Sequence, residues 1–164
     1  MARKRGFAPV VAPHIRVLVL GSLPGEASLA AGRYYAHPRN RFWHLAGAVI
    51  GREDLPELPY EARLDVLLAA GIGLWDTVAS ARRTGSLDTA LRAIEAAPLR
   101  HLAASLPALR AIAFNGAKSA QIGRRALAGS ALTLIDLPSS SPANAAVALD
   151  EKRRRWLDLQ DFLG

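Results

Sequence analysis

Cysteine is absent from the 164 residues, which excludes disulfides, a thiol nucleophile, Cys-ligated zinc and a cysteine-held iron–sulfur cluster. Histidine is scarce as well. His14, His37, His44 and His101 are scattered along the chain, so no metal site and no other cofactor is expected. Although 51% of residues are hydrophobic, no apolar run approaches the roughly 20 residues that a membrane-spanning helix requires. The amino terminus pairs a basic start with a later apolar run, but His14, Arg16 and two prolines interrupt it. It therefore reads as a basic tail entering a strand rather than a secretory signal, and a cytoplasmic address without membrane attachment follows as the expectation. Acidic residues are the minority: 14 Asp and Glu against 21 Lys and Arg leave a net charge of +7. Only Lys4, Lys118 and Lys152 are lysines, so the excess is carried by arginine. Such a balance favours a polyanionic partner, because cations that neutralise phosphates gain from counterion release and Arg grips phosphate with two donors.

Four short apolar runs remain, each closing on small, polar or turn-forming residues: "IRVLVLGSLPG" (15–25), "GIGLWDT" (71–77), "LRAIAFNG" (109–116) and "LTLIDLPSSSP" (132–142). Segments with helical spacing separate them. That alternation predicts an α/β fold, a three-layer α/β/α arrangement with a central, mostly parallel four-stranded sheet. Helices are expected after Asn40 up to Gly51, over about 60–70, 87–96, 98–106 and 117–128, and over about 145–163, where "EKRRRW" reads as a solvated face, with a phosphate contact as the lesser alternative. Residues 1–14 form the basic tail, with Ala2 to Arg5 expected to be disordered, and 15–164 a single domain.

In parallel α/β sheets ligands sit beyond the carboxyl ends of the strands, and all four predicted ends carry unusual residues. In "GSLPGEAS" (21–28), Gly21 and Gly25 permit close backbone approach while Ser22 offers a hydroxyl. The loop lacks the Gly-Lys-Ser/Thr of a phosphate-binding loop and the third glycine of a dinucleotide fingerprint; a structural turn explains it equally well. "LPSSSPANA" (137–145) holds three serines between prolines, which suits a phosphate-gripping loop, a helix cap at Ser141, or both. Asn115 in "FNG" either reads a base edge or makes an Asn-Gly turn. Asn40 in "YYAHPRNRFW" (34–43) is also a good N-cap, Trp43 is expected in the core, and the Phe42 ring faces either the cleft or the sheet.

Together and in order, "GSLPGEASL", "YYAHPRNRFW", "GIGLWD", "FNG" and "LPSSSPANA" resemble the uracil-DNA glycosylase superfamily, most closely its hypoxanthine-DNA glycosylase branch. The resemblance spans about residues 15 to 150. It implies a metal-free enzyme that flips a deaminated base, hypoxanthine first, out of damaged DNA and cuts its N-glycosidic bond without nicking the strand. It also carries site roles: Asn40 as the catalytic residue orienting the water or the sugar; Phe42 as the ring that stacks the base; Asn115 as the base-edge reader. Gly21, Ser22, Leu23, Pro24 and Gly25 are carried over as the pocket wall, and His37 as a neighbour that assists or braces. Ser139, Ser140, Ser141, Pro142, Ala143 and Asn144 are the implied phosphate-gripping and wedge loop, with Lys118 a further phosphate contact. Leu23 and Leu137 stand where better-known relatives place polar catalytic groups, and neither can do polar chemistry. A monomer is expected. A uracil- or mismatch-specific glycosylase, a noncatalytic lesion-binding module and a small-nucleotide enzyme are the competing readings.

Overall fold

The computed structural model describes residues 2–164; Met1, the first residue of the expected basic tail, lies outside them. The four apolar runs form β2 (Val17–Gly21), β3 (Ile72–Asp76), β6 (Ala111–Asn115) and β7 (Thr133–Leu137). They pair in the order β3-β2-β6-β7, every pair parallel. Successive side chains on a strand point to opposite faces, and the core divides accordingly. Val17 and Val19 of β2 and Ala111 and Ala113 of β6 pack with α2 (Phe42–Ile50), α3 (Tyr60–Ala69) and α6 (Leu149–Trp156). Leu18, Leu20, Ile112 and Phe114 face the other way, toward α4 (Leu99–Ala104) and α5 (Ala117–Ala126). This is the expected three-layer arrangement. The edge of β3 is covered rather than bare: Val10 exchanges backbone hydrogen bonds of 2.8 and 2.9 Å with Leu74.

Three expectations are corrected. A second, antiparallel sheet joins β1 (Arg3–Arg5), β4 (Val78–Arg82) and β5 (Arg92–Ala96) in the order β1-β4-β5. Ala2 to Arg5 is therefore not a disordered tail, because three of its residues pair with β4. Nor is 87–96 a helix. It is a 3-10 turn at Asp88–Ala90 followed by β5, whose register against β4 shifts twice and whose Ala93 has φ 51°. Good helix formers such as Ala and Glu promise a helix there, but pairing with the free edge of β4 overrides that weak preference. The last helix begins at Leu149 rather than near 145, after a long irregular segment, and tightens into a 3-10 turn over Leu157–Phe162. Within "EKRRRW", Arg153, Arg154 and Arg155 are exposed as expected, yet Lys152 is buried.

The chain runs from β2 outward to β3 and then returns to β6 on the other side of β2. Loops leaving β2 and β6 thus diverge, and the crevice that such a switch point forms lies outside the Gly21 and Asn115 ends.

Candidate active site

The crevice is built on three level strand ends: Asp76 pairs with Gly21 across β3 and β2, and Leu20 pairs with Phe114, which precedes Asn115 on β6. Gly21 is a glycine for a steric reason. A Cβ there would lie 2.6 Å from Asp76 Oδ1 and 3.1 Å from Tyr35 Oη, inside any van der Waals contact for the first.

The ring beside the strand ends is that of Tyr35, whereas the ring expected there was Phe42. Phe42 is fully buried on the core face of α2, with the Tyr35 ring stacked flat on it at 3.9 Å and the edges of Trp43 and Trp156 against it. Tyr35 is half-buried, with Phe42 as its backing. Tyr35 has φ 52°, a left-handed conformation that costs a bulky residue of order 1 kcal/mol. Neighbours hold it there: Trp43 Nε1 donates to its carbonyl, Ala36 N donates to Ser28 Oγ, and the Tyr34 hydroxyl donates to Ala8 O. Burial first, and then Asp76, push the Tyr35 phenol well above its ordinary value, so it is a neutral donor.

Asn40 follows on the same loop. Its Oδ1 accepts from Phe42 N at 2.9 Å and its own N–H donates to His37 O at 3.0 Å. The N-cap of α2 is Arg41 rather than Asn40, so one lone pair of the amide closes a two-residue turn ahead of the helix, while Nδ2 has no partner among the described residues and is left to donate. His37 is turned inward on this turn, its Nδ1 accepting from Arg39 N at 3.1 Å, which favours bracing over assistance.

Asn115, nearly buried, clasps Ser140: Nδ2 donates to Ser140 Oγ at 2.9 Å and Oδ1 accepts from Ser140 N at 2.9 Å. Its second amide hydrogen points toward Tyr35 Oη at 3.4 Å. Asn115 therefore ties the ring to the serine loop, and only the second lone pair of Oδ1 is left for a base edge. Ser140 is 1% exposed, which corrects its place among the phosphate contacts: its backbone carbonyl accepts from Arg41 N at 3.0 Å and locks the two loops together. Ser139, Ser141 and Asn144 are half-buried and Pro142 and Ala143 exposed, in a segment that is irregular from Pro138 to Ala148. Ser141 therefore caps no helix; its Oγ accepts from Ala143 N and Ser139 Oγ accepts from Ser141 N. Trp156 Nε1 braces this loop through Pro138 O at 2.9 Å. Lys118 stands apart, bonded to Gln121 one turn along its own helix.

The 21–25 loop is pinned by a residue that the sequence did not single out. Arg83 is 1% exposed and its guanidinium donates to Pro24 O at 2.5 Å, Leu23 O at 3.4 Å and Gly85 O at 2.8 Å. Burial holds its pKa below the ordinary arginine value, against the opposing pull of Asp88, Glu26 and Asp76. Ser22 Oγ donates to Asp88 Oδ1 at 2.5 Å, so that hydroxyl is committed. The Leu23 side chain packs beneath the second sheet with Val78, Ala81 and Leu91, and Gly25 accepts from Leu29 N at the start of α1 (Glu26–Ala31). What this loop offers the crevice is backbone.

Beside the crevice lies a cavity of about 240 Å³ lined by Arg39, Arg41, Ser141, Pro142, Asn144 and Lys152. None of its three cations is paired with a carboxylate among the described residues. Burial, and then the neighbouring Arg41, lower the Lys152 pKa. A pocket with three uncompensated cations and hydroxyl and amide donors suits an anion. Among the described residues no cluster of three His, Asp or Glu could hold a metal, and no helix is long and apolar enough to cross a membrane.

Four of these residues were given no place in the site from the sequence. Tyr35, in a loop without periodicity, had no signal to orient it. Asp76 and Arg83 had a faint one, since an acid ending a buried strand demands an explanation. Lys152 was masked by the exposed arginines that follow it.

The chain is similar to known proteins along nearly its whole length. The sequence profile of the Uracil DNA glycosylase superfamily matches residues 8–160. A protein of Methanosarcina barkeri (strain Fusaro / DSM 804) named Hypoxanthine DNA glycosylase is 38% identical over 156 residues, covering 95% of this chain and 97% of that protein. One of the same name from Methanosarcina acetivorans is 40% identical over 141 residues, covering 86% and 88%. The solution NMR structure of a Methanosarcina acetivorans protein provisionally named a uracil DNA glycosylase superposes with a TM-score of 0.87 at 35% identity, covering 98% of this chain and 99% of that one. The chain with its crevice at the Gly21 and Asn115 strand ends belongs to the uracil DNA glycosylase superfamily.

Proposed function

We propose that this protein is a DNA glycosylase that hydrolyses the N-glycosidic bond of a flipped, deaminated base, with hypoxanthine in deoxyinosine as the preferred substrate. One observation carries the reading: the ring of Tyr35, backed by Phe42, and Nδ2 of Asn40, unpaired among the described residues, share one short loop at the strand-end crevice. The names borne by the two Methanosarcina relatives favour hypoxanthine over uracil.

The roles follow from what each group has free. An extruded base stacks on the open face of Tyr35 and so recovers part of the stacking lost on leaving the duplex. Bond breaking passes through an oxocarbenium-like sugar, for which a placed water and stabilisation of the departing base are the main requirements. Asn40, held at a helix mouth, orients that water or the sugar. An amide is a poor general base, so the rate depends on the quality of the leaving group. The cavity of Arg39, Arg41 and Lys152 receives a backbone phosphate and sets the register of the strand. The assignment is to a monofunctional, monomeric enzyme without a cofactor.

The test is base release from matched duplexes carrying deoxyinosine, deoxyuridine or no lesion, with wild type beside Asn40→Ala. Hypoxanthine release that drops about 100-fold or more in Asn40→Ala, while lesion binding persists, is the expected result. Uracil release alone would overturn the substrate assignment; binding without release of any base would make the protein a lesion-binding module. Strand scission without added alkali, lost in Lys152→Gln, would overturn the monofunctional assignment.

A further inference from the structure

Asp76 ends β3 and is 4% exposed. A carboxyl group so buried normally has its oxygens satisfied, yet Asp76 Oδ2 has no hydrogen-bond partner among the described residues. The other oxygen, Oδ1, lies over Gly21 at the strand ends: a Cβ at Gly21 would stand 2.6 Å from it and 3.1 Å from the Tyr35 hydroxyl, whereas Oδ2 lies on the side of Gly6. Asp76, Gly21 and Asn115 end three adjacent strands at one level. Two strand spacings put Asp76 and Asn115 about 9–10 Å apart, with the Tyr35 hydroxyl between them, 3.4 Å from Asn115 Nδ2 and beside Gly21.

We propose that Asp76 is a catalytic acid of this glycosylase: across Gly21 it hydrogen-bonds a ring nitrogen of the flipped purine and protonates it as the base departs. The inference rests on the glycosylase reading above. As the C1′–N9 bond breaks, its electron pair stays with the base. The proton on Asp76 moves to a second ring nitrogen, so hypoxanthine leaves neutral. Water adds to C1′ and releases a proton to solvent, and Asp76 is reprotonated from solvent after the product leaves. This supplies the leaving-group assistance that Asn40, an amide, cannot give.

The surroundings keep the proton on Asp76 at neutral pH. Burial is the main cause and Asp88 adds to it, while Arg83 opposes them; together they place its pKa at about 8. The other titratable groups facing it are Tyr34 and Tyr35, whose phenols burial keeps neutral. Asp88 is bonded to Ser22 and Arg83 to the 21–25 carbonyls, so both are fixed beside it.

The experiment is single-turnover release of hypoxanthine from a deoxyinosine duplex at saturating enzyme, between about pH 5 and 10, for wild type, Asp76→Asn and Asp76→Ala. Wild type is expected to lose rate as pH rises through about 8. Asp76→Asn, nearly isosteric, is expected to bind the duplex and fold, to run about 100-fold slower at pH 7 and to lack that alkaline limb. Wild-type rates and limb in Asp76→Asn would overturn the inference. So would a slow Asp76→Asn that keeps the limb, because the residue would then act on structure alone. A wild type that releases no hypoxanthine would sink the functional reading and this inference with it; an active wild type matched by Asp76→Asn would sink this inference only.

Discussion

Asp76 has a consequence for stability as well as for chemistry. Its folded pKa of about 8 lies above the ordinary 3.8 of an unfolded aspartate. The folded state therefore holds a proton that the unfolded state releases, and stability falls as pH rises between those two values. An asparagine at this position removes that dependence. Thermal unfolding is expected to show Asp76→Asn close to wild type near pH 4 and clearly more stable near pH 8, a gain in stability at a functional site. Equal Tm values at both pH values would show that the carboxyl group titrates normally. Tyr35 gives a second test at this scale. Base–aromatic stacking is worth about 1–3 kcal/mol by alanine substitution, so Tyr35→Ala should weaken binding of lesion duplex by roughly 5- to 150-fold at fixed salt. Tyr35→Phe keeps the ring on Phe42, loses only the Asn115 contact, and should bind nearly as wild type. A Tyr35→Ala that binds unchanged would return the stacking role to another ring.

At the scale of elements, each piece of the site is held by a neighbour that does no chemistry. The 21–25 loop hangs on Arg83, the serine loop on Asn115 and Trp156, and Asn115 itself on β6, which α5 covers. That last contact is tight. A Cβ on Gly123 of α5 would sit 2.2 Å from Phe114 Cε1, and Phe114 is fully buried in the row that ends at Asn115. Gly123→Ala gains helix propensity but must push α5 off the sheet or Phe114 out of its rotamer. A net loss of about 1–3 kcal/mol is expected in urea unfolding, and an unchanged midpoint would show that the layer has room. The four parallel strands and most of the helices were legible because each carries an unbroken apolar period. The second sheet was not: β5 is exposed along its length and is specified by pairing with β4 rather than by any pattern of its own. The same distinction separates Phe42 from Tyr35. Phe42 shares its face with Leu45, Ala46 and Val49, a helical period that marks it as core, whereas Tyr35 is oriented by contacts from Trp43 and Asn115 that lie outside its loop.

On the scale of the whole molecule, the net charge of +7 is only as informative as its distribution. Among the described residues five ion pairs join cations to carboxylates elsewhere on the surface, and all five involve well-exposed acids, so they contribute little. Arg39, Arg41 and Lys152 stand apart in converging on one cavity beside Asn40 without a carboxylate. Keeping Lys152 nearly buried there costs stability, because burial and Arg41 both disfavour its charge. A phosphate in the cavity would offset both penalties at once. Each neutralised phosphate adds about 0.9 to the steepness with which log K falls against log salt on duplex DNA. Lys152→Gln should therefore flatten that slope by about 1 and weaken binding to inosine, uracil and undamaged duplexes to a similar degree. Selectivity among the three should stay as in wild type, because a backbone contact positions the strand and carries no base information. Binding measured by fluorescence anisotropy across a salt series distinguishes the cases. A slope equal to wild type would mean that no phosphate enters the cavity, whereas a flattened slope with altered selectivity would place Lys152 against the base rather than the backbone.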